Sequence, residues 1–174
     1  MKNAQEKTTT ASFPVTTYQA KDVAWTLTLT AAAVIFPALL AHTPHNQWIT
    51  GTIVNAILFL AVWRVGIANT LLIAILPSSV ALMRGLLPAP MAMLIPYIIL
   101  SNVILVSAFY VFKKHLLAGV ISASFIKFLV LFAITSQLLK VASPLIAMMQ
   151  WPQLFTALAG GLIAIGFIRL KSFF

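Results

Sequence analysis

A single lysine interrupts an otherwise apolar stretch. Lys127 stands near the middle of residues 116–139, among leucine, isoleucine, valine and phenylalanine. An unpaired ammonium at mid-bilayer costs at least ~2.5–3.5 kcal/mol on insertion scales. Such a group must find acceptors, meet a counter-charge or reach water. Three readings follow: Lys127 lines a ligand site, it snorkels to the nearer interface, or it faces a partner subunit. For the first, neutral oxygens such as that of Asn102, or carbonyls freed by Pro77 and Pro96, are candidate partners, and a bound anion would compensate better still.

Other polar residues in apolar surroundings are Asn55, Ser78, Ser79, Gln137, Gln150 and Gln153, with Trp48 and Trp151 at the expected rim and Arg84 at a span end. Gathered around one cavity they would give aromatic walls and amide donors, suited to a small polar or anionic solute. Taken singly, an intramembrane asparagine also glues helices together, and tryptophans mark any membrane interface. Arg84 reads as an interface anchor that could also clamp an anionic group.

What is missing restricts the chemistry further. The two acidic residues, Glu6 and Asp22, lie before or at the start of the first apolar run. Paired-carboxylate catalysis, carboxylate-bound magnesium and a carboxylate proton relay therefore lack their central group. Cysteine is absent, which removes thiol nucleophiles, disulfides and cysteine-ligated metal centres. His42 and His45 share a connector, but a metal there would need further ligands, so no metal site and no cofactor are expected. No glycine-rich phosphate loop occurs. The chain reads as a non-enzyme that cannot energise transport alone.

The elements that must hold these residues are membrane helices. Of 174 residues, 61% are hydrophobic and 7% charged, with a mean hydropathy of +1.05. That leaves too little polar surface for a soluble globule. Long unbroken apolar runs favour helices over a barrel. The expected class is an all-α polytopic membrane protein with six transmembrane helices. Residues 1–20 read as a flexible cytoplasmic tail and 21–174 as the transmembrane domain. The spans fall at 23–41, 49–63, 67–83, 89–112, 116–139 and 151–168, the second and third being short. Residues 140–150 read as a surface-lying or re-entrant piece. Between residues 76 and 102 two apolar segments meet at a proline-rich corner, with Pro77 and Pro96 each read as lying inside a span and bending it.

Small residues mark possible contact faces. Ala24, Thr28 and Ala32 form a stripe at spacing four, as do Ala33, Pro37 and Ala41, and such stripes let helices approach closely, within the chain or with another subunit. Ala157/Gly161 and Gly160/Ala164 repeat the pattern in the last span. Charge sets the orientation. With the amino terminus inside, Lys2, Lys7, Lys21, Arg64, Lys113, Lys114, Arg169 and Lys171 are cytoplasmic, and only Arg84 and Lys140 are outside. This positive-inside bias places both termini in the cytoplasm of a multi-pass protein of the cell membrane. It also accounts for the net charge of +9 through a basic face near anionic lipid, with no nucleic acid needed.

Six spans in a short chain, together with the segments 50–56 (TGTIVNA), 76–79 (LPSS), 85–88 (GLLP) and Pro96 followed by Ser101 and Asn102, resemble the substrate-binding S component of energy-coupling factor transporters. The resemblance covers 23–169. It implies a subunit that captures a scarce, vitamin-like nutrient from outside and topples against a transmembrane coupling subunit driven by ATPases. In that family docking uses an Ala-x-x-x-Ala surface on the first span, which falls here on Ala24, Thr28 and Ala32, with threonine interrupting the motif. The pocket, between the outer helix halves and under the outer loops, falls on Trp48, Asn55, Ser79, Arg84, Asn102, Lys127 and Gln153. Two readings of other classes stand beside it. One is a small channel or facilitator, homo-oligomeric through the Ala157/Gly161 face, and the other is a structural subunit of a larger membrane complex.

Overall fold

The computed structural model describes residues 20–41, 43, 46–85, 89–138 and 143–171. The described residues are helical and contain no strand. In chain order they form α1 (Ala20–Leu40), α2 (Asn46–Arg64), α3 (Gly66–Met83), α4 (Ile95–Phe112), α5 (Leu116–Ala133), α6 (Ser143–Met149) and α7 (Trp151–Lys171). A 3-10 turn, Ala89–Leu94, leads into α4, and a π-turn, Ile134–Leu138, extends α5. Six helical segments are long and apolar enough to cross a membrane. The expected tail lies outside the described residues except for Ala20, which opens α1, and His42 and His45 lie outside them too.

Three boundaries differ from the sequence reading. Helix α2 is longer than expected, 19 residues, because the polar Asn46 and Gln47 join its first turn, while α3, 18 residues, gains only Gly66. Pro96 does not bend α4. It occupies the first turn, where its missing N–H has no helical partner to lose. Residues 140–150 contain the short helix α6, which leads through Gln150 into α7. Pro77 does lie inside α3, and Pro37 inside α1. Each removes the hydrogen bond to a carbonyl four residues back.

Small residues set how closely the helices pack. Gly66 has φ of 80°, a left-handed conformation that side chains disfavour, and it lets α2 reverse into α3 with Val65 the one residue between. On α7, a Cβ at Gly160 would lie 2.6 Å from the Thr52 carbonyl oxygen and 2.7 Å from the Ala56 nitrogen. The backbone of α2 therefore occupies the space a side chain would need. Gly161 sits against Val120 of α5 and Phe59 of α2. Ala157 and Ala164 are fully buried, so both small-residue pairs of the last span are spent inside the bundle. The oligomer face expected at Ala157/Gly161 is not a free surface.

The core continues from this contact. Phe59 of α2 meets Phe109 of α4 edge to face at 4.8 Å, with Leu58, Ile73, Leu105 and Val120 buried around them. The Ala33 stripe of α1 is likewise used internally, Ala33 being fully buried. At the end where α1 begins and α2 finishes, Arg64 reaches Asp22 at 3.4 Å and lies over the Trp25 ring at 5.4 Å. This half-exposed pair orients the two helices while contributing at most about 1 kcal/mol.

Gly160→Val is expected to lower the melting temperature of the detergent-solubilised protein clearly, since overpacking costs about 1–3 kcal/mol. Gly166→Val, where nothing lies within 4 Å of an added Cβ, is expected to leave it nearly unchanged.

Candidate functional site

Helix α5 carries Lys127 into the interior, where it is 2% exposed. Its Nζ donates to Oδ1 of Asn102 on α4 at 2.8 Å and to Oδ1 of Asn55 on α2 at 2.9 Å. The Asn55 amide in turn donates from Nδ2 to Oγ1 of Thr156 on α7 at 3.4 Å, and Thr156 donates to the Gln153 carbonyl at 3.3 Å. One amine thus joins four helices. Burial rules out snorkelling, and bonding within its own bundle rules out a lysine that faces a partner subunit. Asn102 is the acceptor the sequence suggested; Asn55 is a second one that it did not.

Among the described residues no carboxylate joins this network. Asp22 is paired with Arg64 at the other end of α2, and among the described residues no group of acidic, histidine or cysteine side chains could hold a metal. The amine is therefore held by neutral dipoles. Both asparagines turn their Oδ1 atoms to the amine.

Lys127, Asn55 and Asn102 line a cavity of about 160 Å³. It lies in the half of the bundle remote from Ala20 and Lys171. Its other polar lining comes from Gln47 and Thr50 on α2, Ser78 on α3 and Gln153 on α7, and its apolar walls from Pro37, Val54, Pro77, Ala81, Ile98 and Met149. The Gln47 amide donates to the Met148 carbonyl at 2.7 Å, tying the start of α2 to α6, while Met149 is buried against the cavity. The segment read as surface-lying or re-entrant thus supplies Met149 to the cavity wall.

Of the seven residues expected around a pocket, Asn55, Asn102, Lys127 and Gln153 come together here. Three do not. The Ser79 hydroxyl donates back to the Ile75 carbonyl at 3.0 Å, and its neighbour Ser78 lines the cavity in its place because Pro77 and Ser78 share the inward side of α3. Arg84 is exposed in the turn after α3. Trp48 is exposed and stacks at 6.4 Å on Phe155, and Trp151 packs at 5.0 Å on Phe128, so both indoles belong to the outer surface and the cavity walls are aliphatic. Gln150 donates to the hydroxyls of Thr135 and Ser136 and is not among the lining residues. The side chain of Gln137 lies outside the described residues.

Gln47, Thr50 and Thr156 escaped the sequence reading. Their signal was periodicity: Gln47, Thr50/Gly51 and Val54/Asn55 recur at helical spacing on one face of α2, and Thr156 sits one turn before Gly160. On α1, Ala24 and Thr28 are exposed and Ala32 is half-buried, with the Thr28 hydroxyl donating to the Ala24 carbonyl at 2.9 Å.

No family model matches the chain, and neither a curated protein nor a solved structure is found similar to it.

Asn102→Leu is expected to destabilise the protein by about 1–3 kcal/mol, the cost of leaving a buried donor without its acceptor. Adding Lys127→Met should recover part of that loss. A thermal or denaturant double-mutant cycle measures the coupling.

Proposed function

We propose that this chain is the membrane-embedded solute-binding subunit of an importer of the energy-coupling factor type. The observation that carries the reading is the Lys127 cavity: a buried amine above a small polar-and-apolar space inside a bundle of six membrane-length helices. A purely structural subunit has no need for such a space, and a lysine already bonded inside its own bundle has no need of a neighbour's carboxylate.

In the orientation favoured by lysine and arginine distribution, both termini are cytoplasmic and the cavity opens toward the outer half of the cell membrane. Solute enters from outside, passes Gln47 and α6, and settles against Lys127. The chain performs no bond chemistry. Energy comes from a separate transmembrane coupling subunit and its ATPases, which meet α1 at the Ala24, Thr28 and Ala32 stripe. Support for that contact is the lightly packed state of α1, whose buried residues are Leu29 and Ala33 alone among those described. The hydroxyl in the stripe is already satisfied by its own helix, so the surface remains small and free of unmet donors.

Native mass spectrometry of the protein drawn gently from its host membrane is expected to find it with a coupling membrane subunit, ATPases and a retained small solute. Recovery as a bare homo-oligomer without solute, or inside an unrelated complex, would overturn the reading. Thr28→Trp, at an exposed site, should leave the fold and solute intact while abolishing recovery of the coupling subunit. Loss of stability in its place would mean that the stripe is an internal surface.

A further inference from the structure

Hydrogen-bond valence at Lys127 narrows what the cavity accepts. An ammonium has three N–H donors, and the asparagine oxygens take two. Fixing Asn102 Oδ1 on the amine leaves its Nδ2 donors with no partner among the described residues, and the side chains of Ser78 and Gln153, which also line the cavity, make no hydrogen bond there either. The space therefore offers hydrogen-bond donors, the Asn102 amide first among them. It also contains the Lys127 amine, which no carboxylate among the described residues meets. Buried donors and a buried charge are costly until an acceptor of opposite sign arrives.

Size and wall chemistry supply the rest. A cavity near 150 Å³ takes a molecule about as large as benzene, and this one measures about 160 Å³. Much of its wall is apolar, from Pro37, Val54, Pro77, Ala81, Ile98 and Met149, which suits a hydrocarbon body better than a bare inorganic ion. Resting on the solute-binding reading above, we infer that the ligand is a small organic monoanion, a carboxylate with a compact apolar body. Its carboxylate completes the Lys127 ammonium as the third acceptor and takes the Asn102 amide, and its body lies against the prolines. Asn55 and Asn102 are positioning residues that keep the ammonium aimed.

The test uses the full chain in nanodiscs, with benzoate, nicotinate and butyrate as probes against benzamide, nicotinamide and butyramide, read by ligand-dependent thermal shift and by native mass spectrometry. Carboxylates should bind roughly 10- to 100-fold tighter than their amides, the difference expected for a hydrogen bond to a charged group. Lys127→Met should remove that preference. Asn102→Asp, which installs a carboxylate where the oxygen now lies 2.8 Å from Nζ, should keep or raise the melting temperature and also abolish carboxylate binding. This variant keeps the test decisive if Lys127→Met fails to fold. Equal binding of acids and amides, lost when Ala81→Leu narrows the cavity, would overturn the anion assignment and leave the solute-site reading standing. Carboxylate binding that survives Asn102→Asp, or no binding by any probe, would overturn the assignment, with the subunit reading then decided by the composition of the native complex.

Discussion

A buried ammonium held by amide oxygens is the constraint around which this bundle is arranged. Lys127 lies buried inside the bundle, and among the described residues no carboxylate meets it there. Two asparagine oxygens on different helices, each worth about 1.5–3 kcal/mol as an acceptor for a charged donor, are enough to outweigh an insertion cost of about 2.5–3.5 kcal/mol. They do so only if α2 and α4 hold their amides within hydrogen-bond reach of α5. The positions of three helices are thereby coupled to one side chain, and Thr156 extends the coupling to α7.

That coupling depends on close packing elsewhere. Asn55 stands where it does because α2 lies almost backbone to backbone on α7, an approach that Gly160 permits, while Phe59 and Phe109 lock α2 to α4 one turn further along. The two ends of the bundle then diverge in character. Near Asp22 and Arg64 an ion pair and the Trp25 ring link α1 to α2, beside an apolar cavity of about 520 Å³ lined by Trp25, Leu29, Trp63 and Phe167. Toward the other end Pro37 and Pro77, inside α1 and α3, line the Lys127 cavity together with Met149 of α6. The proposed anionic solute would complete the interaction that the protein leaves half made, since dipoles orient the ammonium without cancelling its charge.

Much of this was legible residue by residue. Hydropathy located six spans because a membrane helix must be apolar along its length, and the isolation of Lys127 in such a span marked it as a site. Asn102 could be named as an acceptor because both residues sit near mid-span. Ser79 was preferred to Ser78 because adjacent residues on a helix differ in direction by about 100°, and a uniformly apolar helix gives no stripe from which to read which one faces inward. The same ambiguity put Trp48 at the cavity, whereas its ring lies on the outer face beside Phe155. The Ala157 and Gly160 pattern promised a close contact without saying with which helix.

By itself, then, the amino-acid order determined the all-helical class, the six membrane-length helices, the lack of cysteine and of any acidic side chain after Asp22, and the existence of one isolated lysine in need of partners. Those properties are local, because each depends on the composition of a single stretch. Tertiary structure alone decided that Asn55 and Asn102 share Lys127, that α7 spends its small residues on α2 and α5, and that α6 helps to wall a cavity of benzene size. Rotation of each helix about its axis and its distance from its neighbours set these outcomes. In helices that are apolar on every side, both are fixed by packing between residues far apart in the chain.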